Sequence, residues 1–187
     1  MDIMRRLALL IAAVAMALPA CGQNAKKQST EMKTLVAYFS ATGTTEAVAR
    51  NLAAVTGGTL YEIKPEVKYT AADLDWTVKT SRSTVEMNDR KFRPAMINDL
   101  QNAASYDVIY IGFSVWWDTA PTIINTFLES YDFSGKTVIL FATSGGSSLR
   151  TANREFKAAY PALNWKDGKV LNGASKATLS SWVESLK

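Results

Sequence analysis

Thr34-Leu35-Val36-Ala37-Tyr38-Phe39-Ser40-Ala41-Thr42-Gly43-Thr44-Thr45 joins an apolar run directly to a loop of hydroxyls around one glycine. The first six residues are β-prone and apolar on both faces, as a strand covered on both sides of a sheet must be. A helix follows, because Val48, Leu52 and Val55 recur at i, i+4 and i+7 and Gly57-Gly58 supplies the stop. The loop therefore links the end of a buried strand to a helix N-terminus, where unpaired backbone N–H groups and a partial positive charge favour phosphate. Ser40, Thr42, Thr44 and Thr45 add hydroxyl donors, and Gly43 lets the backbone approach closely. The Gly-Lys-Ser/Thr ending of a Walker loop is missing, and so are the spaced glycines of a dinucleotide fingerprint. Alone, the stretch fits both a phosphate cradle and a Ser/Thr-rich helix cap with no ligand.

Outward from it, short β-rich runs alternate with helical periodicity, which predicts an α/β domain with a mostly parallel sheet. Thr59 to Ile63, Asp107 to Phe113 and Thr137 to Ala142 read as further strands, and Lys169-Val170-Leu171 as a short last one. Pro121 sits in the first turn of a helix behind Thr119 as its cap, with Ile124, Phe127, Leu128 and Tyr131 as the apolar face. Ser147 or Ser148 caps the next helix, whose inner face is Leu149, Ala152, Phe156 and Tyr160 before Pro161 ends it. Leu179, Trp182, Val183 and Leu186 give the closing helix its face.

An insert at about 64–104 is too long and too polar for a simple crossover. Thr70 caps a short helix from Ala71 to about Thr80, and a second is expected from Pro94 to Ala104. A flap over a site and an elaborated crossover with a solvated face both fit this segment.

In a parallel doubly wound sheet, ligands lie beyond the carboxyl ends of the strands where strand order reverses. Two more loops fall on that edge: Ser114-Val115-Trp116-Trp117-Asp118-Thr119 after the third strand and Thr143-Ser144-Gly145-Gly146 after the fourth. The Trp pair fits either ordinary packing or a stacking platform for a flat ring.

The N-terminus has a separate purpose. Arg5 and Arg6 precede twelve apolar residues, Leu7 to Leu18, then Pro19, Ala20 and Cys21. This is a secretory signal layout, too short for the ~20 residues of a membrane-spanning helix. Leu18-Pro19-Ala20-Cys21 resembles the bacterial lipobox, so residues 1–20 are expected to be removed and Cys21 to carry a lipid. A plain exported protein is the alternative. Residues 21–32 form a flexible tether, and the folded domain spans 33–187. The expected location is the cell envelope, on an exported, membrane-anchored lipoprotein that touches the membrane only through this lipid.

Composition narrows the chemistry. Among 187 residues there is no histidine and one cysteine. No Ser-His-Asp or Cys-His pair can form, and no zinc site of the usual Cys/His type; no metal site is expected. The formal charge of +4 comes without a basic run interleaved with aromatics, so no nucleic-acid partner is expected.

The motif Ser40-x-Thr42-Gly43-x-Thr45, with Phe113-Ser114-Val115-Trp116-Trp117 before Ala120-Pro121 and Phe141-Ala142-Thr143-Ser144-Gly145-Gly146, resembles the flavodoxin-like family, in particular its exported branch. Arg82, Glu86, Arg93 and Pro94 of the insert also resemble that branch. The resemblance implies a three-layer, five-stranded parallel sheet in the order 2-1-3-4-5 with helices on both faces. It also implies that flavin mononucleotide (FMN) is held by Ser40, Thr42, Gly43, Thr44 and Thr45 at its phosphate and by residues 114–119 and 143–146 at its ring. The implied function is electron transfer between a reduced donor and a redox partner protein or small-molecule acceptor, with the chemistry on the flavin and no catalytic side chain. Electron-carrier flavodoxins usually place a glycine near the flavin N5 whose peptide can flip, and a tyrosine over the ring. Trp-Trp-Asp and Gly-Gly stand here instead, which points toward an NAD(P)H:quinone-type flavin reductase as the alternative. A tethered binding module without flavin is the third reading.

Overall fold

The computed structural model describes residues 32–187. The expectations for the signal segment, for Cys21 and for the tether up to residue 31 lie outside the described residues. Five strands form one parallel sheet in the order β2-β1-β3-β4-β5: β1 Thr34–Tyr38, β2 Thr59–Glu62, β3 Val108–Ser114, β4 Thr137–Thr143 and β5 Asn164–Val170. Strand order reverses between β2 and β3 on either side of β1, as the resemblance implied.

The side-chain period of two divides the core. Leu35, Ala37, Ile109, Ile111 and Leu140 face a layer built from α3 (Ile123–Ser130) and α4 (Arg150–Ala159). Val36, Tyr38, Tyr110, Ile139 and Phe141 face α1 (Thr44–Thr56) and α5 (Lys176–Ser185), where Leu52, Leu179 and Trp182 close the second layer. Both faces of the central strands are thus buried, which is why they read as unbroken apolar runs. Gly112 is fixed by this packing, because a Cβ there would stand 2.1 Å from Phe141 Cζ.

The insert departs from expectation. Residues 71–80 form successive turns, and the helix of the insert, α2, lies at Arg82–Asn88 with Ser81 as its cap. Thr70 donates from its backbone N–H and its hydroxyl to the Asp73 carboxylate at 2.8 Å, a local closure that competes with helix initiation. No α-helix forms at 94–104 either. Glu66 N–H donates to Ala95 O at 3.0 Å and Ile97 N–H to Lys64 O at 2.9 Å, pinning this stretch to the chain leaving β2, and only a single 3-10 turn, Ala103–Ser105, follows.

Three smaller corrections have local causes. α3 begins after Thr122, not behind a Thr119 cap, because the Thr119 hydroxyl donates to Glu155 Oε2 at 2.7 Å instead. At α4, Ser148 only weakly accepts from Arg150 N–H at 3.4 Å and Ser147 turns away to donate to Asp118. β5 starts five residues earlier than expected at an edge of the sheet, where its half-exposed, polar faces hide the strand pattern.

Candidate functional site

The loop after β1 is poised but undersaturated. Gly43 takes φ 86, a left-handed conformation that turns the chain into α1 without a side-chain cap. Among the described residues, none accepts a hydrogen bond from the backbone N–H groups of residues 40–46; the first helical bond is Ala47 N–H to Gly43 O at 3.1 Å. Ser40 Oγ is sealed from solvent and likewise has no partner among them. A run of donors and one buried hydroxyl therefore await an acceptor.

Register brings the three loops together. Ser114 pairs with Thr143 at the ends of β3 and β4, and Val115 N–H donates to Thr143 O at 2.9 Å. Thr45 and Thr143, both buried, share a hydroxyl contact of 2.8 Å that ties the first loop to the third. Two hydroxyls bring two protons and this contact uses one, so the pair retains a donor. Asn172, after β5, grips the third loop from outside: Ser144 N–H donates to its Oδ1 at 2.8 Å and its Nδ2 donates to Ser144 O at 2.7 Å.

The second loop closes as a four-residue turn. Trp116 N–H donates to Thr119 O at 2.9 Å and Thr119 N–H returns to Trp116 O at 3.0 Å. The central residues Trp117 and Asp118 have φ 45 and 63, the signature of a type I′ turn, which aspartate tolerates and which is strained for tryptophan. A hydrogen bond from the Ser147 hydroxyl to the Asp118 carboxylate holds it to the third loop.

Two adjoining cavities open between these loops. One, of about 470 Å³, is lined by Thr42, Thr44, Trp116, Thr143 and Gly145 among others. The next, of about 580 Å³, shares Val115, Trp116, Ser144 and Gly145 and is bounded by Trp117 and Gly146. Of the residues expected at the site, Thr42, Thr44, Ser114, Val115, Trp116, Trp117, Thr143, Ser144, Gly145 and Gly146 line a cavity. Ser40, Gly43 and Thr45 build the loop wall behind the first. Asp118 and Thr119 are spent on Ser147 and Glu155. Sequence reasoning missed Asn172, whose signal is the Asn-Gly turn after β5, and Leu74, Trp76 and Ser83 of the insert.

The insert also buttresses the platform. Trp116 packs edge-on against Phe39 and Tyr69, with ring centroids 5.7 and 5.5 Å apart. The Tyr69 hydroxyl donates to buried Glu86 at 2.5 Å, Arg82 Nε donates to the same carboxylate at 2.7 Å, and the Arg82 guanidinium lies 3.8 Å from the Tyr69 ring centroid. Burial, reinforced by the Glu86 carboxylate, pushes the Tyr69 hydroxyl well above the usual tyrosine range.

Residues 33–186 match the profile of the Flavodoxin family. The chain belongs to the flavodoxin family. Its relatives of known structure agree: a candidate flavoprotein from Bacteroides uniformis is 59% identical, with a TM-score of 0.80 over 82% of this chain and 98% of its own. A second, from Bacteroides eggerthii, is 52% identical with a TM-score of 0.80, covering 82% and 97%. A Lactobacillus acidophilus flavoprotein solved in complex with FMN shares the fold at 24% identity and a TM-score of 0.67, over 83% and 98%. No curated protein matches this flavodoxin significantly.

Proposed function

We propose that this flavodoxin-family protein binds FMN and passes electrons between a reduced donor and a redox partner protein or small-molecule acceptor. The unpaired donors of residues 40–46, with the orphaned Ser40 hydroxyl behind them, carry the reading, because they ask for an acceptor with several oxygens and little steric bulk. The residues fit a flavin phosphate. Thr42 and Thr44 line the first cavity, and no Lys or Arg lines either cavity among the described residues, so N–H groups and the α1 dipole would offset the phosphate charge. Trp116 and Trp117 supply aromatic faces for the ring, and Gly145 and Gly146 admit it, since a Cβ at either would meet nothing within 4 Å. When bound, FMN supplies the redox chemistry, and the chain's part is to hold, orient and shield it.

The strained Trp117-Asp118 turn favours two-electron reduction by a nicotinamide, of the NAD(P)H:quinone-type, as the second reading. At the N-terminus, the Leu18-Pro19-Ala20-Cys21 pattern supports export and lipid attachment at Cys21, with the domain facing the cell envelope. The test is to purify the full chain from membranes and record its spectrum. Flavin absorbance near ~450 nm is expected, and a colourless protein that takes up no added FMN would leave the flavin-free binding module. Anaerobic reduction then separates one-electron from direct NAD(P)H-driven two-electron chemistry. Cys21→Ser should move the protein from the membrane to the soluble fraction, and unchanged fractionation would remove the lipid assignment.

A further inference from the structure

The second cavity has a wall that the phosphate and ring loops do not supply. Leu74, Trp76 and Ser83, all from the insert, line it together with Trp117, Gly146 and Ser147. Two large aromatics stand unusually bare there: Trp76 is 72% exposed and Trp117 45%.

Ser83 is the more telling residue. It is only 2% exposed, and its hydroxyl has no hydrogen-bond partner among the described residues. Every polar neighbour in the first turns of α2 is engaged. Ser81 caps the helix and meets Thr84 at 2.9 Å, Arg82 binds Glu86, and the Ser83 N–H donates to Asp73 O at 2.9 Å. A helical serine usually escapes burial costs by bonding the carbonyl four residues back, but Ser83 lies in the first turn and residue 79 precedes the helix. Its hydroxyl is thus a buried, unspent polar group on a residue that lines the cavity together with Trp76, Trp117, Gly145 and Gly146.

We propose that the insert belongs to the cofactor site: Trp76 covers the flavin ring, and the Ser83 hydroxyl hydrogen-bonds the ring's polar rim. This rests on the flavin reading of the preceding section. Trp76 and Trp117 both line this cavity and offer flat apolar faces that suit a conjugated ring, and Ser83 lines it with an unpaired hydroxyl for a polar edge; a flavin carries its carbonyls and ring nitrogens along one such edge. The insert then acts as a lid segment whose foundation is the Arg82–Glu86–Tyr69 cluster.

The experiment uses full-length protein stripped of flavin, titrated with FMN and with riboflavin by flavin fluorescence, and with inorganic phosphate as competitor. Ser83→Ala is expected to weaken both flavins about tenfold, as loss of one well-placed hydrogen bond does. Trp76→Ala should weaken both by about threefold to tenfold, with Trp76→Phe restoring most of it. The inhibition constant of phosphate should not move, because that subsite lies at Thr42 and Thr44. Val85→Ala, on the exposed side of the same helix, serves as control and should change nothing. Trp76 is too exposed for its loss to unfold the domain, so that variant remains decisive if Ser83→Ala folds poorly. If the wild type takes up no FMN, the flavin reading falls. If it does, and both variants bind FMN and riboflavin with wild-type affinity, the inference about the insert alone is overturned.

Discussion

Glu86 offers the sharpest test of how the insert is held. Its carboxylate is 3% exposed and receives hydrogen bonds from Tyr69 at 2.5 Å and Arg82 at 2.7 Å. Glu86→Leu keeps apolar bulk but strands the Arg82 charge and the Tyr69 hydroxyl. Breaking a buried pair from one side costs ~3–5 kcal/mol, and the low end applies because Arg82 keeps some solvent and also donates to Val67 O at 2.7 Å. At ~2–4 °C per kcal/mol for a domain of this size, about 3 kcal/mol lowers the melting temperature by ~6–12 °C. Arg82→Met strands the carboxylate instead and should cost a similar ~3 kcal/mol. The double variant removes both charges, so a coupling of ~2–3 kcal/mol should leave it little worse than either single change. Urea unfolding of all four proteins gives the cycle. A Glu86→Leu cost below ~1 kcal/mol, or strictly additive single costs, would refute the claim that a desolvated ion pair anchors the insert. Because Tyr69 packs on Trp116, flavin affinity should fall in the single variants in parallel with stability.

Three further outcomes follow from the same geometry. Thr42→Val should cost about tenfold in FMN affinity while leaving the urea midpoint unchanged, whereas Thr45→Val should also destabilise by ~1–2 kcal/mol, because it leaves the buried Thr143 hydroxyl without its partner. Stability should decline as pH rises from about 10 toward 12: burial lifts the Tyr38 and Tyr160 hydroxyls from 10.0 to about 12. The unfolded chain then releases those protons first and is favoured, so the contribution is intact below 10 and lost through 12; a flat urea midpoint across that window would contradict it. Trp117→Gly should hold or raise the melting temperature, since glycine accepts φ 45 at no steric cost, and a clear drop would mean that the turn is unstrained.

The central sheet was legible because burial on both faces writes itself as apolar runs, and the place of the Ser40 to Thr45 loop because an apolar strand running straight into helical periodicity leaves only that junction between them. β5 was only glimpsed: in Asn164 to Gly168, Trp165 is a lone apolar residue among exposed or half-exposed Asn, Lys, Asp and Gly on an edge strand, a pattern that loops share. The insert was misread for a different reason. Thr70 reads as a helix cap, yet its Asp73 partner closes a turn, and the stretch near Met96 is set by pairing with Pro65, thirty-one residues away in sequence. Arg82 and Glu86 were visible as motif residues, but their meaning needs Tyr69, which reaches them only through the fold. Asp118 and Thr119, expected at the cofactor, have a structural task the sequence does not show: they hold the turn that presents Trp117.

Under the proposed function, that turn also bears on the choice between one- and two-electron chemistry. Reversing the central peptide of a type I′ turn gives type II′, which relaxes the second central residue to negative φ but drives the first into territory that glycine dominates. Here the first central residue is Trp117, and Asp118 is additionally held by Ser147. A peptide flip that is nearly free beside a glycine is therefore costly in this chain, so Trp117 and Asp118 would present a fixed peptide to a bound flavin, which would itself supply the redox chemistry. Trp117→Gly removes the obstacle. On anaerobic reduction, the variant loaded with FMN should accumulate a larger fraction of half-reduced flavin than the wild type. If the wild type already accumulates that form fully, turn strain does not set the electron count, and the carrier reading gains over the reductase.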